Sequence, residues 1–151
     1  HTRVIGLLKD GARVVGARVR DMLTGAEQDI HARTIVNATG PWTDAVRQFE
    51  DPAAPAVVLG TKGVHVLVPR DRLALRDAVT LLHPADERVM FALPAGRYAI
   101  LGTTDTRTTA APSEVRADVG DVQYLLDAAN HYFPKAALTT SDVMSAWAGI
   151  R

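Results

Sequence analysis

Ile35-Val36-Asn37-Ala38-Thr39-Gly40-Pro41-Trp42-Thr43-Asp44 is the stretch from which the fold can be read outward. Ahead of its turn residues, Arg33 to Val36 is an extended run with β-branched side chains, which favours a strand. Gly40 then reads as a helix N-cap and Pro41 as the first helical residue, where a missing N–H costs nothing. Trp42, Ala45, Val46 and Phe49 follow at i, i+3, i+4 and i+7 and form one apolar stripe. The expectation is a strand that passes through Ala-Thr-Gly into a short helix. Gly40 admits a second backbone or a flat ligand, and free N–H groups at the helix start suit a phosphate. A tight joint with no ligand is the plain alternative, and these residues alone leave both open.

On the N-terminal side, Arg3 to Leu8 and Arg13 to Arg20 read as strands joined by the Lys9-Asp10-Gly11 turn, with Val15, Ala17 and Val19 on one face. Asp29 to Val36 is a third, so the simplest account is an antiparallel meander feeding the joint. No G-x-G-x-x-G dinucleotide fingerprint occurs. On the C-terminal side, Glu50-Asp51-Pro52-Ala53-Ala54-Pro55 is the clearest linker. In the strand Val64 to Val68, Val64, Val66 and Val68 share one face and His65 and Leu67 the other. Asp71 to Asp77 is a polar connection or a short helical turn. Short strands are expected at Val79 to His83, Arg88 to Leu93 and Tyr98 to Leu101, with Pro- and Gly-containing turns between them. Asp118 or Asp121 caps a helix that runs through Phe133, with Val122, Leu125, Leu126, Ala129 and Phe133 as its apolar face and Pro134 as its stop. Ser141 to Ala148 is the last strand and leads into Gly149-Ile150-Arg151.

The 151 residues are 47% hydrophobic, enough for an ordinary core. Lys plus Arg and Asp plus Glu are 17 each, so no net charge argues for nucleic acid or an anionic membrane as partner. Without cysteine there are no disulfides and no thiolate metal sites. The five histidines have no ligand spacing, so no metal is expected. No apolar run approaches the roughly 20 residues that span a bilayer. The start, His1-Thr2-Arg3, enters strand pattern directly and reads as a piece of a longer protein.

Three clusters carry candidate chemistry. Lys62-Gly63-Val64-His65 offers a cation and a proton acceptor beside a flexible glycine. Its alternative is an exposed lysine and a hydrogen-bonded sheet histidine. Gly102-Thr103-Thr104-Asp105 at a strand end can orient polar ligand groups, or simply cap a turn. Trp147-Ala148-Gly149-Ile150-Arg151 ends in a guanidinium suited to a phosphate or carboxylate, or equally in a solvated arginine.

Asn-Ala-Thr-Gly-Pro-Trp resembles the segment that ends the first FAD-binding portion of two-domain flavoproteins of the amino-acid-oxidase and glycerol-phosphate-dehydrogenase type. Followed in order by Lys-Gly-x-His-x-x-Val-Pro-Arg, Leu-Gly-Thr-Thr-Asp-Thr, Asp-Val-x-Tyr-Leu-Leu and Trp-Ala-Gly-Ile-Arg, it closely resembles FAD-dependent glycerol-3-phosphate dehydrogenase. The resemblance covers nearly the whole chain but only the middle of that family's polypeptide. It implies an α+β, mostly antiparallel fold. Residues 1–50 would be part of an FAD-binding domain, and residues 51–151 a substrate-binding domain truncated at its C-terminus. It also implies FAD as cofactor beside Ala38, Thr39 and Gly40, and His65 as proton acceptor. Lys62, Thr104, Asp105 and Arg151 would face the substrate, with Arg151 on its phosphate. The implied reaction is oxidation of sn-glycerol 3-phosphate to dihydroxyacetone phosphate, the electrons passing to quinone or oxygen. The implied location is cytoplasmic, or peripheral on the inner face of the cytoplasmic membrane. The chain by itself is expected to be inactive and not to hold FAD. Two alternatives remain: another FAD-dependent amine or 2-hydroxy-acid oxidase of this architecture, or a non-catalytic binding or assembly module. His65 and Asp105 are expected to open on one cleft, and Arg151 to be exposed with nothing holding it.

Overall fold

The computed structural model describes all residues from His1 to Arg151 as two compact units, His1–Leu59 and Gly60–Arg151. In the first, β1 (Thr2–Asp10), β2 (Arg13–Asp21) and β3 (Glu27–His31) form an antiparallel sheet in the order β1-β2-β3. Directly opposed ion pairs, Arg18 with Asp29 and Arg20 with Glu27, fix the β2–β3 register. The third strand therefore starts two residues earlier than the sequence suggests and stops at His31 instead of Val36. Residues 34–39 are irregular and Val36 is 79% exposed. β-Branched side chains favour a strand only where a neighbouring strand accepts its hydrogen bonds, and none lies beside Ile35 and Val36 in this unit.

The joint is closed by Asn37. Its side-chain oxygen accepts from the Thr39 N–H and hydroxyl, and its amide nitrogen donates to the Thr43 carbonyl at 3.0 Å. Thr39, not Gly40, is the cap. Gly40 enters the 3₁₀ turn Gly40–Trp42 at φ +57°, a left-handed conformation that glycine adopts without strain. The helix α1 (Thr43–Arg47) ends before Phe49, and both Trp42 and Phe49 are exposed, so the apolar stripe does not form a core. Asp44 takes over the role of fastener. Its carboxylate accepts the N–H groups of Val57 and Val58, both at 3.0 Å. Those bonds, that of Val58 first, hold its pKa below the ordinary carboxylate value. They also tie the residues beyond the Glu50–Pro55 linker to this unit.

The second unit is an antiparallel sheet built on β4 (Thr61–Pro69). After the short α2 (Arg70–Leu73) come β5 (Val79–Leu82), β6 (Val89–Ala95), β7 (Tyr98–Gly102), β8 (Thr106–Arg107), α3 (Val119–Tyr132) and β9 (Ser145–Ile150). β9 runs along one edge of β4 from Lys62 to Leu67, so β7 and the unexpected β8 share the other edge in tandem. β9 begins four residues later than expected, because Thr139 to Asp142 close a capped 3₁₀ turn first.

Alternation along β4 puts Val64, Val66 and Val68 on one face, each fully buried with Leu81, Met90 and Leu101. α3 covers this face with Leu125, Leu126, Ala128 and Ala129. The helix starts where the sequence indicates: Asp118 and Asp121 form a reciprocal capping box, and Phe133 with Pro134 ends it. On the opposite face Leu82, Val89, Phe91 and Trp147 remain exposed. The α+β, mostly antiparallel class read from the sequence is the one observed, and one face of the sheet is left open. No helix is long and apolar enough to cross a membrane.

Candidate active site

The same alternation that buries the valines turns Thr61, Gly63 and His65 to the open face. His65 lies across from Gly102 on β7 and Trp147 on β9. Its imidazole stacks on the Trp147 ring, with centroids 5.4 Å apart and planes 10° apart. The other flank rests against Gly102. A Cβ at that position would sit 2.1 Å from His65 Cδ2, so the ring occupies space that only glycine leaves free. Burial, and then the charge of Arg151, push the His65 pKa below its usual value. The imidazole is therefore neutral at pH 7 and able to accept a proton.

Arg151 is not loose. Its backbone exchanges two hydrogen bonds with Thr61, at 3.0 and 3.1 Å, continuing the β9–β4 ladder. Its side chain is 56% exposed and pairs with Asp105, Nη2 to Oδ1 at 3.3 Å. Arg151 and His65 line one groove of about 250 Å³ with Gly63, Thr103 and Trp147. Asp105 lines a neighbouring groove of about 270 Å³ and reaches the first through Arg151. The hydroxyl of Thr61 and the guanidinium of Arg151 hold its carboxyl below the usual range. His65 and Asp105 thus line separate grooves and not the one cleft expected, because Asp105 faces the groove beside Lys62, Asp118 and Tyr124; the two residues are linked only through the Asp105–Arg151 pair.

Thr104 and Lys62 are engaged elsewhere. Thr104 is buried. Its hydroxyl accepts the Val64 N–H at 3.0 Å and donates to the Lys62 carbonyl at 3.3 Å, bridging the gap between β7 and β8 along β4. Lys62 points to the helix side of the sheet, where Nζ lies 2.7 Å from Asp118 and 2.5 Å from Asp121. Burial alone would lower the Lys62 pKa, but those two carboxylates outweigh it and raise it. Lys62 in turn takes Asp118 down from 3.8 to about 2. A depressed carboxyl stabilises the fold fully above its unfolded value and ceases to do so as pH falls through the folded one. Urea midpoints of this chain are therefore expected to fall between about pH 4 and pH 2. In Lys62→Met, Asp121 is left buried without its cation, at a cost of about 3 kcal/mol at neutral pH. The acid step should flatten in that variant.

Sequence reasoning missed the side chains behind Asp105. Arg88 lies between the Asp86 carboxylate and the Asp105 main-chain carbonyl, and Tyr124 on α3 donates its hydroxyl to Asp86. Pro84 to Glu87 reads only as a turn, and nothing local in the sequence brings α3 against it. In the first unit, Ala38 and Gly40 are exposed and Thr39 between them is half-buried, at the entry to the 3₁₀ turn. The Ala38 and Gly40 N–H groups have no partner in the chain, and the space beside Gly40 is open. These residues fit one edge of a flat, hydrogen-bonding cofactor.

A family model described as FAD dependent oxidoreductase matches residues 1–151. Alpha-glycerophosphate oxidase of Streptococcus pyogenes is 40% identical over 149 residues, which is 96% of this chain and 24% of that protein. Glycerol-3-phosphate dehydrogenase of Mycobacterium leprae is 38% identical over 150 residues, 99% of this chain and 25% of that one. The chain thus spans about a quarter of the length of these curated relatives. Among solved structures, glycerol-3-phosphate dehydrogenase from Bacillus halodurans complexed with FAD matches with a TM-score of 0.92 and 38% identity, over 99% of this chain and 30% of that one. L-proline dehydrogenase from P. horikoshii matches at 0.71 with 15% identity over 99% of this chain and 37% of that one, a likeness of fold alone.

Proposed function

This chain belongs to the FAD dependent oxidoreductase family, and we propose that the reaction it serves is the oxidation of sn-glycerol 3-phosphate to dihydroxyacetone phosphate. The observation that carries the reading is a neutral, glycine-cradled His65 in one groove with the exposed guanidinium of Arg151. The names of the relatives and of the 0.92 structural match support the substrate. In this reading His65 accepts the proton of the hydroxyl on carbon 2, and Arg151 holds the phosphate as a charge-assisted fork. Asp105 keeps Arg151 aimed across the groove. Lys62 and Thr104 serve the substrate indirectly, by fixing residues 62–64 of β4 immediately before His65. FAD, when bound, supplies the acceptor for the hydride that leaves carbon 2. Ala38, Thr39 and Gly40 would contact it, with residues 1–50 belonging to its domain and residues 51–151 to the substrate domain.

The test uses a full-length polypeptide that carries this segment, loaded with FAD. Glycerol 3-phosphate should reduce an artificial dye while sarcosine and lactate do not. Oxidation of either alternative substrate in its place would shift the reading to an amine or 2-hydroxy-acid oxidase. The electrons are proposed to pass on to quinone or oxygen. Oxygen uptake, compared with reduction of a soluble quinone, separates the two.

A further inference from the structure

Asp86, Arg88, Tyr124 and His83 have no part in the reaction just described, yet they form a continuous path from the core to the substrate groove. We infer that Arg88 is a positioning residue for the phosphate-binding end of the site, acting through Asp105 on Arg151. The inference rests on the reading of Arg151 given above.

The path begins at His83, which is 4% exposed and held at both ring nitrogens. Nδ1 accepts the Ala85 N–H at 3.1 Å, so Nε2 carries the proton and donates to the Tyr124 carbonyl at 3.1 Å. The Tyr124 ring stacks flat on this imidazole, with centroids 3.6 Å apart. The Tyr124 hydroxyl is thereby aimed at Asp86, 2.9 Å from Oδ1 and 3.2 Å from Oδ2. Asp86 in turn holds Arg88 Nε at 3.2 Å, and the far end of that guanidinium donates to the Asp105 carbonyl.

Asp105 needs such an anchor. It lies between the end of β7 at Gly102 and the start of β8 at Thr106, outside either ladder. Thr104 fixes the backbone one residue before it and the Thr61 hydroxyl reaches its carboxyl, but Arg88 alone meets the Asp105 carbonyl. The carboxylate of the same residue pairs with Arg151, a long side chain more than half exposed, which would otherwise sample many rotamers. Arg151 has five donors and can keep Asp105 on one side while it takes a phosphate oxygen on the other. Fixing the Asp105 main chain therefore fixes the direction from which Arg151 meets the substrate. Misplacement by about 1 Å can cost up to about 100-fold in such a site.

The experiment measures kcat, KM for glycerol 3-phosphate and Ki for inorganic phosphate in the full-length FAD-loaded enzyme. The variants are Arg88→Met, Arg88→Lys and Tyr124→Phe, with Arg151→Ala as control. Arg88→Met should raise KM and Ki together by about 10-fold or more, with kcat largely kept. Arg88→Lys should recover part of this, because the ammonium can reach one partner but not both. Tyr124→Phe keeps the ring on His83 and removes only the hydroxyl. It should shift both constants in the same direction by less, and it decides the question if Arg88→Met does not fold. A role confined to stability would lower the urea midpoint or kcat and leave KM and Ki where they were, which overturns the inference. If Arg151→Ala raises both constants and the Arg88 variants do not, the inference alone falls. If Arg151→Ala leaves both unchanged, the phosphate role of Arg151 falls with it.

Discussion

Replacing His65 by alanine in a full-length polypeptide that carries this segment is expected to lower turnover by about 100- to 10,000-fold, the range of a positioned proton acceptor. The loss should fall on kcat and kcat/KM alike, because proton transfer belongs to the transition state and not to substrate binding. The wild-type pH profile gives an independent check. Protonated imidazole cannot accept a proton, so the rate should fall on the acid side, with a midpoint below the ordinary 6.5 because burial and Arg151 depress the His65 pKa. In His65→Ala that acid limb should disappear. Gly102→Ala tests the same residue without touching it. The new methyl group would meet the imidazole at 2.1 Å, and the β7 backbone cannot retreat from β4 without breaking the ladder. The ring must leave its stack on Trp147, and much of the His65→Ala loss should follow. The His65 ring protons, read by NMR, should at the same time lose the upfield shift imposed by the indole. Full turnover in Gly102→Ala would mean that this pose of His65 is not the working one.

Why Gly102 escaped the sequence reading is instructive. The motif Leu-Gly-Thr-Thr-Asp-Thr draws attention to its hydroxyls and carboxylate, the groups with chemistry. Yet the Thr104 hydroxyl is taken by the β4 backbone, and the atom missing from Gly102 is what makes room for the imidazole. Alternation within β4 was legible because period two needs no partner: three valines on one face force Lys62 to the same side and His65 to the other. The α3 helix was legible for the same reason, since its capping box and apolar stripe are local. Residues 33–36 were misread because a strand is a relation between segments, and β-branched side chains record only half of it. The path from His83 to Arg88 is likewise non-local. It exists only once α3 packs against the β5–β6 turn, and no spacing in the sequence announces that contact.

Arg151→Ala is the second large effect. A charge-assisted pair with a phosphate in a partly enclosed groove is worth about 2–5 kcal/mol when truncated. That corresponds to roughly a 30- to several-thousand-fold loss of kcat/KM. Arg151→Lys should recover little, since an ammonium cannot fork between Asp105 and a phosphate as a planar guanidinium does. The variant also leaves a mark that phosphate binding does not explain. Arg151 is one of the two causes that depress the His65 pKa, so removing its positive charge makes the protonated imidazole easier to form. The acid limb of the rate profile should then move up in pH, towards 6.5, because a larger share of His65 is protonated at any given pH. Raised ionic strength should move the wild-type limb in the same direction, as it screens Arg151. An acid limb that stays in place in Arg151→Ala, with kcat/KM only slightly reduced, would separate the two residues and remove Arg151 from its proposed phosphate-binding role.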